Sequence, residues 1–187
     1  MVPRVLEGLR SEHRTMRKLL EMLKRQIELV ADDRQPNGEL LLEITEYFRC
    51  YPELFHNPKE ELVLRYVIAR NPAAADLTSQ LETFQERANR EFGRFSRAVV
   101  RLLIEPAAAQ DRFLSAALAF VESESQLVAW EDDRLFSLAE HSLEEKDWSD
   151  IEVSLSGLDG PVRDTADLTR LGRIGRAVDT WRSHAAA

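Results

Sequence analysis

The sequence predicts an all-α protein, an up-and-down antiparallel four-helix bundle followed by a short C-terminal helical extension. Apolar residues recur at spacings of three and four along most of the chain, and only seven glycines and seven prolines interrupt the 187 residues. No stretch of useful length alternates apolar with polar residues, which argues against strands. Long apolar stripes joined by few turns are typical of helix bundles. We expect one bundle domain over residues 1–156 and an extension over 157–187.

The first helix is predicted by an apolar stripe that runs through the first thirty residues. A histidine, His13, falls in register with this stripe and should therefore point inward. The segment ADDRQPNGE follows with Pro, Asn and Gly, which are typical of a loop. The stripe consists of Leu6, Leu9, His13, Met16, Leu19, Leu20, Leu23, Ile27 and Val30.

The second helix is predicted from about Glu39, but two prolines disturb its middle. Pro52 and Pro58 remove backbone donors, so we expect a kink or break around the stretch FHNPKEELVL. The helix should resume beyond it and stop before Pro72. Its apolar positions are Leu41, Leu42, Ile44 and Phe48 before the prolines, and Leu62, Val63, Tyr66 and Val67 after them.

The third and fourth helices are predicted by two further stripes, separated by a turn at Glu105-Pro106. The third begins after NPAAAD, and the fourth runs from about Gln110 to Ala139. The third stripe contains Leu77, Leu81, Phe84, Gln85, Ala88, Phe92, Phe95, Val99, Leu102 and Leu103. The fourth contains Phe113, Ala116, Ala117, Phe120, Val121, Leu127, Trp130, Glu131, Leu135, Phe136 and Ala139.

The character of the chain changes after the fourth stripe. The segment SLEEKDWSDIE predicts a short helix, with Ser142 and Glu145 in the spacing of a capping box. The tail from about Gly157 to Ala187 has modest amphipathic character. Three alternatives stay open for it: packing on the bundle, partial disorder, or contact with a partner, either a second copy or another protein.

Composition excludes several classes of function. A formal net charge of −8 argues against nucleic acid or a membrane surface as the main partner, because such binders present basic surfaces. No apolar run approaches the roughly 18 to 20 residues of a membrane span. A single cysteine, Cys50, permits no intrachain disulfide. The N-terminal stretch lacks the apolar region of a secretory signal, so we expect a cytoplasmic protein.

A few polar residues fall inside the apolar stripes and are the candidates for function. They are His13, His56, Glu60, Gln85 and Glu131. A charged carboxylate inside a bundle is costly unless it is paired or bound to a cation. His56 and Glu60 are four residues apart and share a helix face. Imidazole and carboxylate together suit iron, manganese or zinc. The alternative is a hydrogen-bonded polar pair, since this spacing is common by chance.

Three segments occur in an order that resembles a known family. LRSEHRTMRKLLEMLKRQIE, YPELFHNPKEELVL and AWEDDRLFSLAEHSLEEKDWSDI are similar to the signature blocks of the hemerythrin-like (HHE cation-binding) family of bacterial proteins. The resemblance covers roughly residues 4 to 155. It implies an up-and-down four-helix bundle with a non-haem di-iron centre, held by histidines and two bridging carboxylates. Members use such a centre for oxygen binding, iron handling or sensing.

The ligand set implied by this resemblance is incomplete. His13, His56, Glu60 and Glu131 match ligands of the family. Gln85 and Leu127 stand where the family has histidines, and Asn57 stands where it often has one. A leucine cannot bind a metal, whereas Gln85 could be a weak oxygen donor. The resemblance therefore implies one metal ion, most readily iron, rather than a di-iron centre.

Two functions follow as alternatives. The first is a hemerythrin-like protein that binds one non-haem metal ion for sensing or for iron or oxygen handling. The second is a metal-free bundle that acts as an interaction or regulatory module, with its histidines and glutamates paired in a buried polar network. We expect no enzyme, because no nucleophile elbow, phosphate loop or dinucleotide motif occurs.

Overall fold

The computed structural model describes residues 3–158, and helices make up nearly all of this part of the chain. No strand occurs within these residues, which confirms the all-α prediction. The helices are α1 Arg4–Ala31, α2 Gly38–Tyr51, α3 Asn57–Arg70, α4 Asp76–Ile104, α5 Pro106–Trp130, α6 Ser137–Ser142 and α7 Glu145–Leu158. The extension predicted over 157–187 lies outside the described residues after the end of α7.

Short non-α turns join some of these helices into longer stretches. A π-helical turn, Pro52–His56, links α2 to α3, and a second, Glu131–Phe136, links α5 to α6. The first of these turns lies where Pro52 and Pro58 predict a kink or break. A 3-10 turn, Pro72–Ala74, precedes α4. The result is four long helical stretches, followed by α7.

The helix ends follow local chemistry. Asn37 precedes α2, and its side chain accepts a hydrogen bond from the Leu40 backbone N–H at 3.1 Å. Pro106 occupies the first position of α5, where its missing N–H costs nothing. α4 packs along α5, α1 packs against α5, and α2 contacts both α1 and α4. The up-and-down order of the four stretches stays a prediction.

Two apolar clusters form the core, and polar residues lie where they meet. One cluster is built around Phe95, Phe113 and Phe120, and the other around Leu135, Phe136 and Ile151. Along α1, Leu9 belongs to the second cluster and Met16 to the first, with the fully buried His13 between them. Along the fourth stretch, Glu131 lies between Val128 and Leu135 in the same way.

α7 closes one end of the described structure. Trp148 and Ile151 are buried in the second apolar cluster. Arg70 at the end of α3 holds the helix by an ion pair with Asp147, at 2.9 Å. The capping box predicted from Ser142 and Glu145 is wrong, because Asp147 instead accepts the Glu144 backbone N–H, at 2.8 Å. No helix within the described residues is long and apolar enough to cross a membrane.

Candidate metal centre

Four of the five predicted site residues lie together inside the protein. His13 comes from α1, His56 ends the first π-helical turn, Glu60 lies in α3 and Glu131 starts the second π-helical turn. These four residues are at most 2% exposed. One ligand atom of each lies within 4.8 Å of the others. The sequence prediction that these residues share one buried site is therefore consistent with the structure.

The ligand atoms converge on a small volume. The Nε2 atoms of His13 and His56 are 3.0 Å apart. Glu131 Oε2 lies 3.2 Å from His13 Nε2, and Glu60 Oε1 lies 3.0 Å from His56 Nε2. Ligands about 2.0–2.1 Å from an ion and about 90–109° apart lie roughly 2.8–3.4 Å from one another. These three separations fit neighbouring nitrogen and oxygen ligands of one cation, while His13 Nε2 and Glu60 Oε1 lie further apart, at 3.6 Å.

Carboxylates on the far side of each ring fix the orientation of the histidines. His13 Nδ1 donates to Asp132 Oδ1 at 3.0 Å, and His56 Nδ1 donates to Glu12 Oε2 at 2.8 Å. Because ionised carboxylates only accept, Nδ1 carries the hydrogen in each ring. In the neutral rings both Nε2 lone pairs then face one another across 3.0 Å. Such an arrangement repels unless a metal ion or a proton lies between the rings.

Two cations hold these carboxylates in turn. Arg17 forms an ion pair with Asp132, and Lys59 forms one with Glu12. Charge compensation lowers the pKa of Asp132 and of Glu12 despite their partial burial. Sequence reasoning missed this outer layer. The sequence feature that points to this layer is that Glu12 directly precedes His13, although the Glu12 carboxylate binds His56.

Glu60 is the group whose chemistry most requires a cation. It is completely buried. Its Oε1 lies near His56 Nε2, yet neither carboxylate oxygen makes a hydrogen bond of normal geometry with a described residue. A buried, unsatisfied carboxylate is costly. A bound cation would compensate this charge, so the donor set fits a metal ion.

Without a metal, protons stabilise the same cluster. Burial lowers the pKa of His13, but hydrogen bonds with neighbouring carboxylates outweigh burial and raise it to about 11. The pKa of His56 is raised to about 9 against burial, mainly by the charge of Glu60. Burial would raise the pKa of Glu60, yet the two histidines lower it to about 2. Burial and the charge of Glu60 raise the pKa of Glu131. Metal ions and protons therefore compete for this site.

Gln85, the fifth predicted residue, is not one of the converging groups. It lines a cavity of about 30 Å³ that also touches His56 and Glu131. Its Nε2 is buried and has no hydrogen-bond partner among the described residues. Leu127 lies at the same cavity. A role for Gln85 as a metal ligand stays a prediction.

His141 takes no part in this cluster. His141 lies in α6, is exposed, and donates from Nδ1 to the Ser137 carbonyl at 2.6 Å. His184 lies outside the described residues. Comparison with protein-family models, with curated proteins and with solved structures finds no match to this chain.

Proposed function

We propose that this protein binds one transition-metal ion between His13, His56, Glu60 and Glu131. The observation that carries the proposal is the orientation of the two imidazoles: each donates from Nδ1 to a carboxylate, so both Nε2 atoms face the centre. Two neutral imidazoles and two ionised carboxylates together carry two negative charges, which neutralise a dication. Iron, manganese and zinc accept such ligands.

The resemblance to the hemerythrin-like family favours iron and a role in sensing or in iron or oxygen handling. It also favours an up-and-down four-helix bundle in a cytoplasmic protein. Non-haem iron bound here would supply one-electron redox chemistry. The residues of this chain hold the ion, orient its ligands and bury all four ligand side chains. We assign no enzymatic activity to the site.

A metal-free regulatory module is the second candidate, and the protonation of the cluster supports it. The raised pKa values of His13 and His56 mean that imidazolium groups can compensate Glu60 and Glu131 in place of a metal. The distance of 3.0 Å between the two Nε2 atoms also suits a single shared proton. In this case the buried network would serve packing alone.

Elemental analysis of the protein expressed without an affinity tag in iron-supplemented medium separates the candidates. We expect about one metal ion per chain, and none in His56→Ala. His141→Ala should keep the full amount, because His141 is exposed and outside the cluster. Glu131→Gln gives a second test if His56→Ala folds poorly by circular dichroism. Folded, metal-free wild-type protein would favour the second candidate. Two irons with an oxo-bridge absorption would contradict a single-ion site.

A further inference from the structure

A buried carboxylate that sequence reasoning missed lies beside the proposed metal site. Glu124 of α5 is 6% exposed and lines the same cavity as His56, Glu131 and Gln85. It makes no hydrogen bond or ion pair with any residue in the described part of the chain. Burial raises the pKa of its carboxyl to about 7. The charges of His56 and His13 oppose this shift but do not outweigh burial.

Glu124 is not one of the four converging ligands. The set whose ligand atoms lie within 4.8 Å of one another contains His13, His56, Glu60 and Glu131 only. Glu124 precedes Glu131 by two helical turns, so the two carboxylates follow one another along the same buried face of the fourth helical stretch. The free carboxylate thus lies beside the ligands rather than among them.

Three carboxamides line this cavity together with apolar side chains. Asn57 and Gln85 are half-buried, Asn89 is exposed, and all three line the cavity with Glu124. Elsewhere around the site, the ion pairs of Arg17 and Lys59 cover the carboxylates behind the two histidines. The amide-lined side therefore offers neutral oxygen atoms, while the carboxylates on those two sides are already paired with cationic side chains.

We propose that this amide-lined cavity is the route by which a divalent cation reaches the buried histidines, with Glu124 as the carboxylate that receives it first. The inference rests on the proposed metal-binding function. Carboxamide and carboxylate oxygens replace water ligands of a hydrated cation readily. Glu124 lines this cavity, and its carboxylate when ionised attracts a cation toward the ligands. A charge that attracts the ligand to a cleft raises association rates by about 10- to 1000-fold.

The rate at which the metal-free protein takes up Co²⁺ tests the route. Stopped-flow mixing followed by the visible absorption of bound Co²⁺ gives both rate and final amount. We expect Glu124→Gln to slow uptake at least about tenfold, with the final Co²⁺ content unchanged. The substitution keeps the shape of a buried side chain that makes no hydrogen bond with a described residue, so it should not harm folding. Glu122→Gln is the matched control, because Glu122 lies on the same helix with a side chain 64% exposed.

A second variant addresses the opening itself. Asn89→Leu places an apolar side chain at an exposed position of the cavity, and it should also slow uptake without changing the final content. Uptake by Glu124→Gln at the wild-type rate would overturn the route while leaving the metal site intact. A lower final content in Glu124→Gln would also overturn it, since Glu124 would then be a ligand. Wild-type protein that binds no Co²⁺ would overturn the proposed function itself.

Discussion

At the scale of single residues, the site depends on side chains that cross between helices. Glu12 is adjacent in sequence to His13 but holds His56, and Asp132 follows Glu131 but holds His13. Each carboxylate thereby orients a ligand from a different helix. The ligands themselves were predictable, because polar residues inside apolar stripes are conspicuous. The supporting residues Glu12 and Asp132 were not predictable, because a pairing between helices leaves no periodic signal in the sequence.

The spacing of residues along the fourth helical stretch indicates that Glu124 is buried. Val121, Glu124, Val128 and Glu131 follow one another at spacings of three and four, and all are buried. The same criterion that selected Glu131 therefore selects Glu124. Phe120 and Leu127 complete the apolar stripe of this helix, so the stripe does not by itself single out Glu124.

Glu12→Gln tests the support of His56. The amide carries no charge and can turn its NH₂ toward the ring, so Nδ1–H loses its ionic acceptor. We expect metal affinity to fall about 10- to 100-fold, as is typical when the outer partner of a ligating histidine is changed. Competition with a chromophoric chelator measures the affinity. Glu61→Gln is the control, since Glu61 is exposed beside a ligand. Equal affinities in the two variants would contradict an orienting role for Glu12.

At the scale of helices, both π-helical turns coincide with ligands. One ends at His56 and the other begins at Glu131. A π-helical turn contains an extra residue and so rotates the side chains that follow, and such turns are frequent at functional sites. Pro52 and Pro58 predict a kink or break at the position of the first turn. The second, EDDRLF, contains no proline or glycine, so helical periodicity gave no reason to expect it.

The last described helix is expected to be an integral part of the domain. Ile151 of α7 is fully buried against residues of α1 and α3, whereas Val153 is 70% exposed. Ile151→Ala should lower the free energy of unfolding by about 2–5 kcal/mol, because it leaves a cavity. Val153→Ala should change it by less than about 0.5 kcal/mol. Urea denaturation measures both, and equal small effects would show that α7 is not packed on the domain.

At the scale of the molecule, the polar cluster lies where two apolar clusters meet. His13 lies between Leu9 and Met16 along α1, so apolar residues of both clusters flank this ligand. The all-α class was predictable, because helical periodicity is a local property of the sequence. The arrangement of the helices is harder to predict, since it depends on which apolar faces meet. The up-and-down order therefore rests on the resemblance and on short connections.

The competition between protons and metal predicts how stability depends on pH. A histidine whose pKa is raised by folding stabilises the protein fully below its unfolded value of about 6.5, and this contribution is lost as pH rises toward the folded value. For His56 that value is about 9. Glu124 acts in the same direction, because its carboxyl stays protonated up to about 7 when folded but ionises near 4.5 when unfolded. The metal-free protein should therefore lose stability from pH 5 upward.

Urea denaturation in EDTA and in excess Co²⁺ between pH 5.5 and 8 tests this expectation. Without metal, we expect the free energy of unfolding to fall by roughly 1–3 kcal/mol across this range. With Co²⁺ the loss should be smaller, because the ion compensates Glu60 and Glu131 without a proton and binds more tightly as protons leave. Glu124→Gln should weaken the decline below pH 7, and Glu122→Gln should not. Constant stability of the metal-free protein would mean that the cluster takes up no protons on folding, and the competition would then be absent.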